Sequence, residues 1–174
     1  MSTTTSATTA IVLTPYSPLW PAIFDVEARA LEGLFDSAVR VEHVGSTAVP
    51  GLGAKPIVDI CVGAPDLAFI ESRIPHMVAA GYRYVPEFER AIPERRYFTR
   101  TDGQPGNFHV HAVVLDGAFW RSHLAFRDAL RADAKTAEEY WKLKQRLAAR
   151  FPNDRAAYTD GKSAFIREVL EKTA

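Results

Sequence analysis

The sequence is poor in cysteine, and neither sign of charge dominates it. Cys61 is the one cysteine among 174 residues. A single thiol excludes an internal disulfide framework and is typical of proteins that fold in a reducing compartment. The 21 Lys and Arg balance the 21 Asp and Glu. This balance excludes broad electrostatic capture of nucleic acid or of a membrane surface, although a local basic cluster can still bind phosphate.

Long apolar runs are absent as well. No run approaches the ~20 apolar residues that a transmembrane helix needs, and residues 1–13 lack the basic and apolar segments of a secretory signal. Residues 1–10 are mainly Ser, Thr and Ala, a composition that predicts a disordered tail. We therefore expect a cytoplasmic protein with no membrane or nucleic-acid partner, whose residues 11–174 form a single domain.

The sequence does contain a regular succession of apolar patterns. Apolar residues spaced by three and four predict helices, and shorter apolar runs predict strands. In chain order we expect a helix from Ser17, as its N-cap, to Asp36, strands at 39–44 and 57–62, a helix from 65 to 81, strands near 82–85, 95–101 and 107–115, and three C-terminal helices, the last capped by Asn153 or Asp154. This order predicts an α/β (α+β) fold, a mixed sheet with helices packed on it and a helical C-terminal third.

The segment between the first two strands carries the strongest functional signal. Gly45 directly follows a strand and lets the backbone approach a ligand, while Ser46 adds a hydroxyl and an amide at the same point. Asp59 lies inside an apolar strand, so a metal ion or a basic side chain is expected beside its carboxylate. Lys55 supplies positive charge where that strand begins. The alternative is a tight loop shaped by Gly and Pro, with Asp59 paired locally.

Histidines on a later strand are further candidates. Strand alternation places His109 and His111 on one face, where they could bind a transition metal, act as a general base or hydrogen-bond a phosphate. Together with Asp59 and Cys61 they could form a zinc site. His43 could point into the same pocket.

The strand at 95–101 is rich in arginine. Alternation places Arg96 and Arg100 on one face and Arg95, Tyr97 and Thr99 on the other. One face could present guanidinium groups to a phosphate or carboxylate, or the arginines could be solvated at a sheet edge. The aromatic residues of the C-terminal helices recur at helical spacing, and we expect them to pack in the core.

The run HVGSTAVPGLGAKPIVD, from His43 to Asp59, resembles the signature of the GrpB family. The resemblance extends over roughly residues 15–171, through the segments FHVHAVV, WRSHLAFRDALR, YWKLKQRLA and YTDGKSAFI. It implies the nucleotidyltransferase fold, and GrpB-like domains are fused to dephospho-CoA kinase in some bacteria.

The pattern of this superfamily implies roles for individual residues. A Gly-Ser pair after a strand binds nucleotide phosphate, and two carboxylates one residue apart on the next strand hold Mg²⁺. Gly45 and Ser46 match the first element, and Asp59 matches the first carboxylate. Cys61 stands at the second carboxylate's position, and a thiol is a poor Mg²⁺ ligand. His109 and His111 could occupy the space of a third carboxylate, which comes from a later strand.

The resemblance implies a transferase that binds a nucleoside triphosphate with Mg²⁺ or Mn²⁺ and moves a nucleotidyl group to an unknown small acceptor. Two sets of residues carry this hypothesis: the catalytic and metal-binding set Asp59, His109 and His111, and the nucleotide-binding set Gly45, Ser46, Thr47, Lys55 and Arg96. One alternative is a module that has lost catalysis and only binds a nucleotide or a phosphorylated metabolite. Another is a hydrolase or other metal-dependent enzyme centred on the histidines.

Overall fold

The structure, a computed structural model, describes residues 10–101 and 106–173. The predicted N-terminal tail, apart from residue 10, therefore lies outside the described residues. None of the helices in this part of the chain has both the length and the apolar character that crossing a membrane requires.

One five-stranded sheet organises the described chain, in the order β1-β2-β5-β4-β3. The strands are β1 (Arg40–Val44), β2 (Ile57–Ala64), β3 (Arg83–Tyr84), β4 (Arg95–Arg100) and β5 (Asn107–Val114). The central strands β2 and β5 run parallel, and every other neighbouring pair is antiparallel. The predicted mixed sheet is thus confirmed. The first and last strands in this order lie at its edges, and β3 is only two residues long.

Six helices accompany the sheet in the described residues: α1 (Trp20–Leu34), α2 (Leu67–Ala79), α3 (Ala118–Ala132), α4 (Ala134–Arg150), α5 (Arg155–Asp160) and α6 (Ser163–Thr173). The predicted N-cap of α1 is wrong, because the helix begins after Leu19 and the Ser17 hydroxyl only accepts a hydrogen bond from the Leu19 amide. The final predicted helix is two helices. Asp154 caps the N-terminus of α5, and this helix ends at Gly161, where a Cβ would collide with Leu147 of α4.

The main apolar core lies between one sheet face and the helices α1 and α2. Alternate residues of β2 and β5 supply its centre, and all of them are buried: Val58, Ile60, Val62, Phe108, Val110 and Ala112. Full burial of one large apolar side chain stabilises the fold by about 1.5–3 kcal/mol. Because successive strand side chains point to opposite faces, the residues of β2 and β5 that lie between these core residues point to the other face of the sheet.

That second face is apolar at one end and polar at the other. Cys61 and Val113 pack there with Phe119 and Trp120 from the first turn of α3. The loop after β1 packs separately against α3 and α4 through Val49, Leu52, Leu130 and Tyr140. The C-terminal helices therefore enclose the loop and one end of the face, and Asp59, His109 and His111 lie on the remaining part.

Candidate functional site

Asp59 and the two histidines are brought together by the pairing of the central strands. In the parallel register Asp59 lies opposite His109, and Cys61 lies opposite His111. The Oδ1 atom of Asp59 is 3.4 Å from Nδ1 of His109 and 3.4 Å from Nε2 of His111. Burial raises the pKa of Asp59, but hydrogen bonds and charge from His109 and His111 outweigh it and hold the pKa well below its ordinary value. The carboxylate is therefore ionised at neutral pH.

The tautomer of His111 follows from its second neighbour. Nη1 of Arg95 lies 3.3 Å from Nδ1 of His111, and a guanidinium can only donate hydrogen bonds. Nδ1 must then accept, so the ring proton sits on Nε2 and is donated to Asp59. Burial lowers the pKa of His111 despite the opposing charge of Asp59. His111 thus orients the carboxylate, whereas His109 directs Nδ1 at Asp59 and leaves Nε2 available to accept a proton.

The turn at Gly45 brings the backbone against the same carboxylate. Gly45 has φ of +71°, and a Cβ there would lie 2.8 Å from Oδ2 of Asp59. Only glycine satisfies both the left-handed backbone and this close approach. A 3₁₀ turn, Ser46–Ala48, follows. It directs Thr47 to the opposite side, where its hydroxyl is buried against Nε2 of His43 at 2.9 Å.

A lysine from α4 reaches Ser46 across the enclosed loop. Nζ of Lys144 donates to the Ser46 hydroxyl at 2.8 Å and to the carbonyl of Gly53 at 2.5 Å. The residue is only 2% exposed, and it has no carboxylate partner among the residues that the structure describes. Burial and the charges of Lys162 and Lys55 lower the pKa of Lys144 to about 7.

Two further lysines complete a group that we call the lysine cluster: Lys55, Lys144 and Lys162. The ammonium groups of Lys55 and Lys162 lie 5.3 and 4.7 Å from the centre of the buried Tyr158 ring. Burial and the charge of Lys55 lower the pKa of Lys162 to about 8, and Asp59 opposes this shift. Burial also lowers the pKa of Lys55. Positive charge therefore outweighs the single nearby carboxylate, Asp59, in this part of the site.

Sequence reasoning missed Lys144 and Lys162. Both lie in segments that carry the family resemblance, but the aromatic spacing around them was interpreted only as core packing. That interpretation is confirmed for Tyr140 and Tyr158, which are buried. The signal that could have revealed Lys144 is its position: it lies in the apolar stripe of α4, four residues after Tyr140 and three before Leu147.

Arg96 and His43 are not brought to this site. Arg96 lies on the core side of the sheet and pairs with Glu71, with Nη2 2.6 Å from its carboxylate. His43 also faces the core side, stacks on Phe24 at 4.7 Å and lines a cavity of about 280 Å³ beside β1 that does not include Asp59. Burial lowers the pKa of His43 to about 4. The expectation that His43 shares the pocket of Asp59 is therefore wrong.

The zinc hypothesis is wrong as well. Cys61 is completely buried, and burial together with the charge of Asp59 raises the pKa of its thiol to about 12. The side chain of Cys61 instead packs with Val113, Phe119 and Trp120 at the apolar end of this face. Among residues 10–101 and 106–173, no group of three or more His, Cys, Asp or Glu side chains is arranged to hold a metal ion. The predicted set of Asp59, His109 and His111 directs both imidazoles at one carboxylate oxygen instead.

The donors present do fit a single hard cation. Mg²⁺ is commonly held by one or two carboxylates together with substrate phosphates and water, and Asp59 offers one ionised carboxylate beside the lysine cluster. They do not fit a two-cation site, because the second carboxylate position is the buried thiol of Cys61.

The mixed sheet, with a Gly-Ser turn packed on a strand carboxylate, defines an α/β domain with a nucleotidyltransferase-like fold. The chain belongs to the GrpB family, whose family model, described as GrpB protein, matches residues 10–172. The glutamate-rich protein GrpB of Alkalihalophilus pseudofirmus is 33% identical over 165 residues, which cover 93% of this chain and 95% of that protein. The crystal structure of GrpB from Enterococcus faecalis superposes with a TM-score of 0.82 at 33% identity, covering 93% and 96% of the two chains.

More distant relatives place the domain in larger proteins. A dephospho-CoA kinase of Mycolicibacterium paratuberculosis is 28% identical over 197 residues, and the match covers 99% of this chain but 48% of the kinase. Terminal uridylyl transferase 4 from Trypanosoma brucei, solved with bound dUTP, has a TM-score of 0.59 at 12% identity and covers 91% of this chain and 54% of that one. This last similarity concerns the fold alone.

Proposed function

We propose that this chain binds a nucleoside triphosphate or a similar phosphorylated metabolite, with the phosphates held between Ser46 and the lysine cluster. The observation that carries the proposal is the contact of the buried Lys144 with Ser46, beside the ammonium groups of Lys55 and Lys162 over the Tyr158 ring. Lys144 donates a hydrogen bond to Ser46, and the positive charges of Lys162 and Lys55 add to burial in lowering the pKa of Lys144. A bound polyphosphate would replace this repulsion with attraction, and charge-assisted hydrogen bonds to phosphate are stronger than neutral ones.

The Gly45–Ser46 turn adds directional contacts to this charge. The 3₁₀ turn Ser46–Ala48 begins beside the lysine cluster, and free backbone amides at the start of such a turn favour an anion. The left-handed conformation of Gly45 sets the direction of these amides. In this proposal the small-molecule ligand is bound by residues from the loop, α4 and the α5–α6 junction, in a protein located in the cytoplasm.

Nucleotidyl transfer to a small acceptor is a second candidate, and the Asp59–His109 contact favours it. Asp59 would hold one Mg²⁺ or Mn²⁺ together with phosphate oxygens, and a bound ion would neutralise charge on the phosphate under attack. Asp59 accepts from Nδ1 of His109, so Nε2 of His109 is positioned to take the proton of an acceptor hydroxyl. The alternative of a non-catalytic binding module rests on Cys61, which removes the second carboxylate.

Calorimetric titration with the four ribonucleoside triphosphates and coenzyme A tests the binding proposal. We expect at least one of these ligands to bind, and Lys144→Gln to weaken it by about ten- to a hundredfold, the range for losing a charged hydrogen bond. Lys142→Gln is the matched control, because Lys142 lies on the same helix, is exposed and pairs with Glu138. Equal affinities of the two variants, or no binding by any ligand, would refute the proposal.

Asp59→Asn separates transfer from binding alone. If Asp59 holds a cation, Mg²⁺ or Mn²⁺ should tighten nucleotide binding to the native chain, and this increment should disappear in Asp59→Asn while metal-free binding persists. If Mg²⁺ and Mn²⁺ change the nucleotide affinity of neither protein, the function is nucleotide binding without transfer.

A further inference from the structure

Arg95 is a second buried cation on the same face of the sheet. The residue is 9% exposed, and its guanidinium lies over the rings of Tyr97 and Phe119, at 4.8 and 5.6 Å from their centroids. Its hydrogen bond to Nδ1 of His111 is a contact with a neutral ring. His123, stacked on Phe119 at 3.8 Å, has a pKa that burial lowers to about 4, so it contributes no charge.

No carboxylate pairs with Arg95 within the described part of the chain, which sets it apart from its neighbours. Arg96 on the same strand pairs with Glu71, and Arg127 on α3 pairs with Glu42 and Asp128. An arginine buried only to support the fold is normally paired, since desolvating an unpaired charge is unfavourable. An unpaired guanidinium held rigid between two rings is instead typical of recognition of a carboxylate or phosphate, which it can contact with two parallel hydrogen bonds.

The position of Arg95 relates it to Asp59. The order β2-β5-β4 places Asp59, His111 and Arg95 on successive strands, so Arg95 lies two strand spacings, about 10 Å, from the strand of Asp59. The Gly45–Ser46 turn, with Lys144 bonded to it, lies on the other side of Asp59, because β1 is the opposite neighbour of β2. Arg95 and Lys144 therefore lie on opposite sides of one carboxylate.

We propose that Arg95, Tyr97 and His111 form a second anion subsite, which binds the carboxylate or phosphate group of a second substrate, the acceptor. The assignment rests on the proposed function, since it gives the acceptor a chemical class: a small molecule whose anionic group is bound near Arg95 and whose reacting group reaches Asp59 and His109. The ring of Tyr97 stacks on His111 with ring centroids 5.2 Å apart and lies 4.8 Å from the Arg95 guanidinium, so it contacts both of the other groups.

The test removes the lysine cluster first, so that only the second subsite can report. Inorganic phosphate and succinate are titrated in parallel into the Lys55→Gln/Lys144→Gln/Lys162→Gln protein, and the ring nitrogens of His111 are followed by ¹⁵N NMR. We expect saturable shifts of Nδ1 with at least one probe, and which probe binds more tightly distinguishes a phosphate from a carboxylate acceptor. Adding Arg95→Gln should weaken this binding about tenfold or more, whereas the matched control Arg96→Gln should change it less than twofold. Unshifted His111 signals with both anions, or equal effects of the two arginine variants, would overturn the subsite.

A second measurement excludes a purely structural role. If Arg95 is retained for binding, Arg95→Met removes an unpaired buried charge and should raise the melting temperature of the ligand-free protein. A lower melting temperature in Arg95→Met would show that the guanidinium supports the fold and would contradict the proposal. Nucleotide titration of Arg95→Gln separates this inference from the proposed function. We expect this variant to bind nucleotide with unchanged affinity and to lose the anion-induced shifts of His111. Shifts at His111 in a protein that binds no nucleotide would leave the subsite standing and remove the function on which its acceptor role depends.

Discussion

Replacing Lys144 with methionine should stabilise the ligand-free protein and make that gain depend on pH. The lysine has an ordinary pKa of 10.5 in the unfolded chain and a pKa of about 7 in the folded one. Between these values the unfolded state binds more protons, so the stability of the native chain rises with pH. Compared with an exposed lysine of ordinary pKa, the buried Lys144 therefore lowers the free energy of unfolding most at and below pH 7. One pKa unit corresponds to about 1.4 kcal/mol. The shift therefore lowers the free energy of unfolding by about 4 kcal/mol at pH 7 and by about 2 kcal/mol at pH 9.

The methionine variant loses two hydrogen bonds, to Ser46 and to the carbonyl of Gly53. Leaving that carbonyl unpaired costs about 1–3 kcal/mol, so the net gain at pH 7 is about 2 kcal/mol, or about 5 °C in melting temperature. The loss of hydrogen bonds does not depend on pH. The gain should therefore fall by about 2 kcal/mol between pH 7 and pH 9.

Urea unfolding followed by circular dichroism at pH 7, 8 and 9 measures this difference. Lys142→Met is the control, because Lys142 is exposed and pairs with Glu138 at 2.7 Å. An exposed pair contributes about 0–1 kcal/mol, so we expect a small and pH-independent effect. If Lys144→Met is less stable than the native chain at pH 7, or if the difference between them does not change up to pH 9, then Lys144 is not an unpaired buried amine and the reasoning fails.

Three further results are expected. Gly45→Ala should lower the free energy of unfolding in a urea titration by about 2 kcal/mol or more and abolish nucleotide binding, because φ is +71° and the new Cβ would lie 2.8 Å from the Asp59 carboxylate. The control is Gly33→Ala in helix α1, which should be neutral or stabilising because its new Cβ has no neighbour within 4 Å. Nucleotide affinity measured by calorimetry should fall by about tenfold or more between pH 6.5 and 9, because Lys144 and Lys162 lose their protons around pH 7 and 8 and phosphate binding requires them to be protonated again. Constant affinity over this range would contradict the lysine cluster as the phosphate site. Cys61 should react with a thiol reagent only as fast as the protein unfolds, since its thiol is buried with a pKa of about 12, and rapid labelling of the native protein would show otherwise.

The sequence predicted the sheet and one face of the site because both depend on local periodicity. A period of two places His109 and His111 on one face, and an isolated carboxylate in an apolar strand marks Asp59. Gly45 was found for the same kind of reason, since a glycine directly after a strand indicates a backbone constraint.

The remaining site residues depend on contacts between distant parts of the chain. Lys144 reaches Ser46 across 98 positions, and no local pattern gives that pairing. The alternation of β4 was predicted correctly, but which of its two faces meets the core is decided by packing, and Arg96 therefore lies away from Asp59. Thr47 follows Ser46 directly, yet the 3₁₀ turn rotates its hydroxyl toward His43.

The lysine cluster also determines which part of the fold a bound ligand would stabilise. Its members come from the loop before β2, from the middle of α4 and from the junction after α5, so two of the three follow the last strand of the sheet. Asp59, His109 and His111 are held by β2 and β5, whereas Lys144 and Lys162 reach the site only through the packing of the C-terminal helices. Under the proposed function, a bound phosphate would therefore stabilise the docked position of the C-terminal helices, because a ligand stabilises the state that it binds.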